Sequence, residues 1–365
     1  MWKGLVCAAL AGLLMAVLPS PAAGGQDQAR PTFRSAVDLV SIAAVVKDKH
    51  GRLVRDLSAD DFVVVDAGER RRIVDFTAGS SAAVTLAILV DESGSMQIGS
   101  SGAVARRSVD TFLSVVAESG GGRDEIALLG FDSGVRELQA FTTDVSRVRT
   151  ALASLKPFGA TSIYDAIAAT ARVVAARGWV RRALVVVTDG ADNWSRLSLE
   201  QVSGIASAID VPVYVIEVGA PPPAERLRAS AAAPSSATLE DLARWTGGER
   251  LVVGDQSVDM RVAAARIVSD VRFQYLLAFE SAREAGWRAL DVRTRNDTHT
   301  VRARGAYMAG AVKPETVDTT PFRLNPERTR NRLDTNPDRT RNEHESELNA
   351  QRSRLKAQGS RRKVR

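Results

Sequence analysis

The stretch Val84-Thr85-Leu86-Ala87-Ile88-Leu89-Val90-Asp91-Glu92-Ser93-Gly94-Ser95-Met96 decides the fold. Its first seven residues form an apolar run of strand length with no polar alternation, which is how a strand buried on both faces of a sheet reads. The run ends abruptly in Asp-x-Ser-x-Ser. A helical spacing follows through Ala105, Val109, Phe112, Leu113 and Val116 and stops at Gly120-Gly121-Gly122. Asp91 therefore stands on a strand-to-helix turn at the carboxyl end of a strand, the edge at which open α/β sheets bind ligands.

Working outward, the same alternation recurs. Strands are expected over Ile126 to Phe131, Val135 to Phe141, Arg182 to Thr188 and Val211 to Val218. Helices are expected over Ala103 to Ser119, Val145 to Leu155, Ser162 to Ala176, Leu199 to Ile209, Leu239 to Trp245 and Val258 to Val268. Strands alternating with helices predict βαβ units and a mostly parallel sheet covered on both faces, an α/β domain over residues 83–270. A Pro/Ala/Ser-rich stretch from Ala220 to Ala237 reads as a surface loop within it.

On either side the pattern reverts to strands alone. Val37 to Val46, Phe62 to Val65 and Ile73 to Phe76 define an N-terminal β unit (32–80). Phe273 to Phe279, Trp287 to Val292 and Thr300 to Ala306 define C-terminal strands (271–308). Because the chain ends of a compact domain often lie close together, the two flanks are expected to pair into one small sheet or sandwich.

The ends of the chain carry other signals. Lys3 precedes an apolar run from Gly4 to Leu18, broken by Pro19-Ser20-Pro21 and followed by Ala22-Ala23-Gly24, the layout of a signal peptide over residues 1–24. The run falls short of the ~20 residues that cross a bilayer. Export to periplasm, cell surface or medium is the expectation. Cys7 is the one cysteine and lies inside that run, so cleavage leaves no thiol for disulfides, Cys-ligated zinc or thiol catalysis. The triplets Asn193-Trp194-Ser195 and Asn296-Asp297-Thr298 would matter as acceptors only in a glycosylating pathway.

The net charge of +6 is concentrated at one end. Residues Lys313 to Arg365 hold 14 Lys plus Arg against 8 Asp plus Glu, which accounts for the whole excess. The globular part is neutral, and the basic segment over 309–365, poor in aliphatics, is expected to be a solvated disordered tail.

Two more segments are expected at the edge that carries Asp91: Gly159-Ala160-Thr161 just before a helix, and Thr188-Asp189-Gly190 just after a strand. Together they supply Asp91, Ser93, Ser95, Thr161 and Asp189, two carboxylates and three hydroxyls without His or Cys. Such a set suits a hard divalent cation, Mg²⁺ first, with Mn²⁺ or Ca²⁺ as alternatives. Two carboxylates at most balance the ion, and hydroxyls donate weakly, so an additional anionic oxygen from outside is expected. Gly94 is expected to let the backbone turn tightly. Each piece alone is an ordinary cap or turn; it is the set of three, in this order, that points to a metal. For Glu92, inside the motif, two readings stay open: action on the ion or its partner, or a side chain in water. Asp132 is expected at a solvated turn on the same edge.

These residues, with Gly159 to Asp165 and Val185 to Gly190, resemble the metal ion-dependent adhesion site of von Willebrand factor type A domains. The flanks, Val45 to Phe76 and Tyr275 through Trp287-Arg288 to Arg302-Ala303-Arg304-Gly305-Ala306-Tyr307, resemble exported bacterial proteins of the "VWFA-related" kind. The resemblance implies a doubly wound, Rossmann-like sheet. It implies that Ser93, Ser95 and Thr161 contact the ion directly and that Asp91 and Asp189 act partly through water. It implies, too, that a protein partner's carboxylate completes the octahedron. The expected function is metal-dependent protein binding or adhesion, not catalysis. A metal-dependent hydrolase would need a base, yet His50, His299 and His344 lie away from the three loops, and a phosphoryl-accepting Asp91 would call for a carboxylate where Ser93 stands. A third reading is an envelope scaffold holding anionic lipid, glycan or nucleic acid by its Arg-rich tail.

Overall fold

The computed structural model describes residues 39–79, 82–97, 101–120, 122–156, 159–177, 181–190, 192–218, 238–253, 260–281 and 284–309. The expected leader, the expected loop at 220–237 and the basic segment from 310 onward lie outside them. In chain order the elements are β1 (Leu39–Lys47), β2 (Phe62–Asp66), β3 (Glu69–Arg71), β4 (Ile73–Thr77), β5 (Val84–Asp91), α1 (Ser101–Gly120), β6 (Glu125–Phe131), β7 (Val135–Thr142), α2 (Val145–Leu152) and α3 (Ile163–Ala175). There follow β8 (Arg181–Thr188), α4 (Leu199–Ala208), β9 (Val213–Val218), α5 (Leu239–Thr246), β10 (Arg250–Val253), α6 (Met260–Arg272), β11 (Tyr275–Glu280), β12 (Gly286–Thr294), β13 (Thr300–Arg302) and β14 (Ala306–Ala309).

The central sheet has the order β10-β9-β8-β5-β6-β7 and is parallel except for β7. All eight residues of β5 are buried, and alternate ones serve opposite faces. Leu86, Ile88 and Val90 pack with Phe112 and Leu113 of α1 and Ile267 and Val271 of α6. Ala87 and Leu89 pack with Ile163 and Ile167 of α3, Val202 of α4 and Leu242 of α5. Each fully buried Leu, Ile or Val contributes about 1.5–3 kcal/mol, so a two-faced apolar strand is held from both sides.

Strand order reverses beside β5: the chain steps to β6 on one side and later returns with β8 on the other. The register Val90↔Val187 brings the carboxyl ends of β5 and β8 level, which sets Asp91 beside Thr188. This is the topological switch point at which such sheets open a crevice.

The flanking strands form two antiparallel four-stranded sheets, β13-β1-β11-β4 and β14-β12-β2-β3. Strands from before and after the central sheet pair directly, Ile42 of β1 with Leu277 of β11 and Val64 of β2 with Val292 of β12. One cluster of Ile42, Val46, Phe62, Val64, Tyr275, Leu277, Phe279 and Tyr307 fills the space they enclose.

The single strand expected over Thr300 to Ala306 is instead two. The chain breaks at Ala303-Arg304-Gly305, and β13 and β14 join different sheets. Gly305 accepts from the Leu290 amide (2.9 Å) and donates to the Trp245 carbonyl (3.1 Å), while buried Arg304 donates to the Ser207 and Ser41 carbonyls. These distant partners take the backbone out of one ladder. Strands β3 and β10 are additions: Glu69-Arg70-Arg71 has no apolar signal, and β10 is four residues long.

Candidate functional site

Strand β5 ends at Asp91, which is 2% exposed. Its Oδ1 accepts from the Ser93 amide (2.8 Å) and its Oδ2 from the Thr188 hydroxyl (2.7 Å), the last residue of β8. The same hydroxyl accepts from the Gly190 amide (3.1 Å), so Thr188 links the first loop to the third. Burial raises the Asp91 pKa; hydrogen bonds from Ser93 and Thr188 oppose the rise, and the nearby Asp189 charge adds to it. Among the described residues Asp91 makes no ion pair. Ser93 is 1% exposed, and Ser95 sits on the 3-10 turn Gly94–Gln97, its side chain outside the described set.

The second loop is tied to both others. The Gly94 amide donates to the Gly159 carbonyl (2.9 Å), and the Thr161 carbonyl accepts from the amides of Asn193 and Trp194 (3.0 Å each). The Thr161 amide donates to Asn193 Oδ1 (2.9 Å), and its side chain is buried. The Asn193 side chain thus serves the loop geometry. The backbone demand for glycine falls at Gly159 (φ 100°) and Gly190 (φ 90°) and not at Gly94, where an added Cβ would meet only ordinary contact.

Glu92 follows neither of the readings left open for it. It is 4% exposed and turns away from solvent: Arg136 Nη2 donates to both its carboxylate oxygens (2.8 Å each) and the Lys156 amide donates to Oε1 (3.0 Å). A Cβ on Gly130 would lie 2.1 Å from Glu92 Oε2, so β6 carries glycine where this side chain crosses it. Glu92 therefore braces the first loop against β7 and against the chain leading to Thr161. Asp132 is a turn residue: its Oδ1 accepts from the Gly134 amide (3.0 Å), and its carbonyl holds the Ser162 amide and hydroxyl (2.8 Å each).

Sequence reasoning missed the bond from Thr188 to Asp91, the pairing of Glu92 with Arg136, and the bonds that Asp192, Asn193 and Ser195 make to the second loop and the start of α3. Thr188 had a signal in its place beside Asp189 at a strand end, and Glu92 in its place inside the motif. His50 lies in the turn after β1 and His299 between β12 and β13. Among the described residues no group of three or more His, Cys, Asp or Glu side chains forms a metal cluster. The candidate set, with two carboxylates and hydroxyls, is of a different kind.

Residues 86–191 match the family model of the von Willebrand factor type A domain. The chain therefore carries a von Willebrand factor type A domain, a class of protein-interaction module. In solved structures it is similar to an aerotolerance-related membrane protein from Bacteroides fragilis, at 20% identity over 52% of this chain and 98% of that one (TM-score 0.41). It is also similar to a von Willebrand factor type A protein from Catenulispora acidiphila, at 11% identity over 76% and 73% (TM-score 0.42). A further likeness is to proximal thread matrix protein 1 from the mussel byssus, with a zinc-occupied MIDAS motif, at 15% identity over 56% and 49% (TM-score 0.42). No curated protein matches the chain. Among the described residues no helix is long and apolar enough to cross a membrane.

Proposed function

We propose that this chain is a metal-dependent protein-binding module of an exported protein. A divalent cation, Mg²⁺ first and Mn²⁺ or Ca²⁺ next, is held by Asp91, Ser93, Ser95, Thr161 and Asp189, and a partner's acidic side chain is captured there. The observation that carries this reading is the state of Asp91. A buried carboxylate that receives, among the described residues, only hydroxyl and amide donors, next to a second carboxylate, is electrostatically incomplete, and a 2+ ion would complement it.

The donor set fits such an ion, since carboxylate and hydroxyl oxygens are hard ligands and none is soft. When bound, the ion would supply a Lewis-acidic position for an oxygen from outside. The chain's own residues do the rest. Thr188 and the Ser93 amide fix the two Asp91 oxygens, Glu92 and Arg136 brace the loop, and Asn193 holds Thr161 in place. No histidine lies on these loops, which favours capture over hydrolysis.

Calorimetric titration of Mg²⁺ into metal-stripped protein tests the site: wild type is expected to bind one ion, and Asp91→Ala and Thr161→Ala to bind far more weakly. Equal affinity in Asp91→Ala would sink the reading. Partner capture is expected to be lost in chelator.

A further inference from the structure

The loop after β8 shows more than Asp189. Residues 192–197 lie across the start of α3 and are held by side chains of both segments. The Ile163 amide donates to Asp192 Oδ1 (2.8 Å), and the amides of Tyr164 and Asp165 donate to Ser195 Oγ (3.0 and 3.3 Å). In return the amides of Arg196 and Leu197 donate to the Asp165 carboxylate, the latter at 2.9 Å. Trp194 itself is pinned by its amide to the Thr161 carbonyl. This backbone is fixed on both sides of the tryptophan.

The Trp194 side chain is nevertheless 62% exposed, more than any other large hydrophobic residue among those described. Trp287 is also exposed, at 53%, but its ring and Trp245 both pack against neighbouring elements. The Trp287 ring lies against Gly204 of α4, where an added Cβ would come within 2.9 Å, and Trp245 packs against the core beneath α4 and α5. A lone exposed apolar residue is ordinary. A tryptophan on a preorganised loop, one hydrogen bond from Thr161, is the kind of group that dominates binding interfaces, because the ordering cost of its backbone has already been met in the free protein.

The surrounding charge selects the partner. Exposed Arg196 follows on the same loop and exposed Lys156 borders the first and second loops, whereas Arg136 is already paired with Glu92, and the Asp165 and Asp192 carboxylates accept from backbone amides. Cations around a carboxylate pair that takes a metal complement an acidic segment.

We propose that Trp194 is an aromatic anchor of the partner-binding face, receiving an aliphatic or aromatic side chain next to the captured acidic residue of an acidic protein segment. This rests on the metal-dependent capture described above. The test pans the full chain, with Mg²⁺, against displayed heptapeptides with a central Asp or Glu, using wild type, Trp194→Phe, Trp194→Ser and Asp91→Ala. Wild type and Trp194→Phe are expected to enrich acidic peptides that are released by EDTA and carry an apolar side chain near the acid. Trp194→Ser is expected to bind those peptides about tenfold more weakly, with Mg²⁺ affinity unchanged. EDTA-released acidic peptides without an apolar neighbour, or equal binding by Trp194→Ser, would overturn the anchor and leave metal-dependent capture standing. Loss of Mg²⁺ affinity in Trp194→Ser would assign Trp194 to support of Thr161 and overturn the anchor as well. If no peptide depends on Mg²⁺ and Asp91, capture and anchor fall together.

Discussion

Asp91 at the loop edge of the central sheet, and Asp124, Asp270 and Asp66 elsewhere, are all withdrawn from solvent, but they are stabilised in opposite ways. Asp124 pairs with Arg272 (2.5 Å) and also accepts from the Val84 amide (3.0 Å), fixing the start of β5. Asp270 of α6 pairs with Lys47 of β1 and Arg302 of β13, and Asp66 of β2 with Arg71 and Arg288. Each of these carboxylates is neutralised by a cation of the chain itself. Among the described residues Asp91 has no such cation, although it is as deeply buried. Burial pushes the Asp66 carboxyl up, but hydrogen bonds from Arg288, Tyr307 and Arg71 outweigh it and leave the pKa lowered; for Asp91 burial prevails and the pKa is raised. A buried carboxylate with an internal cation belongs to the architecture. One without it is where we propose that an ion is taken.

Removing an internal cation should therefore cost most. Arg272→Ala strands the Asp124 carboxylate and is expected to lose about 3–5 kcal/mol in denaturant unfolding, equally with Mg²⁺ or with chelator. A loss that Mg²⁺ rescues would break the contrast between the two regions.

The ion comes next. At a hundredfold excess over its dissociation constant, Mg²⁺ is expected to stabilise wild type by about 2.7 kcal/mol. Asp91→Asn should show no such gain, yet in chelator it should be no less stable than wild type, because it removes an unpaired buried charge. If Asp91→Asn in chelator is destabilised as Arg272→Ala is, Asp91 is architectural.

Glu92 sits between the two classes, paired internally but inside the motif. Glu92→Gln is expected to lower Mg²⁺ affinity about tenfold, about 1.4 kcal/mol, through misplacement of the loop. Unchanged affinity with lowered stability would reduce it to a strut.

The smallest effect lies in pH, measured in chelator. The lowered Asp66 pKa contributes stability that is complete above the ordinary carboxylate value near 4 and is lost as pH falls through the folded value. The raised Asp91 pKa works the other way: stability falls as pH rises from the ordinary value to the raised one, by at most about 1.4 kcal/mol per pH unit. Asp91→Asn should remove only this second limb. Its persistence would assign the limb to another group.

Much of the architecture was legible because the central strands are buried on both faces and so read as unbroken apolar runs. Val84 to Val90 and Arg182 to Thr188 match β5 and β8 to within a residue. Strand β3 was not legible, since Glu69-Arg70-Arg71 is an edge strand defined by its partner β2 and not by burial. The proposed ligands Asp91, Ser93, Ser95, Thr161 and Asp189 are named from their chemistry and their places at element ends. The supports of the candidate site could not be named so. Glu92 lies past the end of β5, where strand alternation stops predicting direction, and its partner Arg136 is 44 residues away.

The sequence by itself determined most elements of the central sheet, their apolar faces, and which hard oxygen side chains stand at element ends, because periodicity and turn chemistry act over a few residues. Only the tertiary structure decided that β1 pairs with β11, that the run from Thr300 divides between two sheets, and that Asp124 meets Arg272 across 148 residues while Asp91 meets no cation among the described residues. Those outcomes depend on which distant groups the assembled core brings within hydrogen-bond reach, and no local pattern encodes that distance.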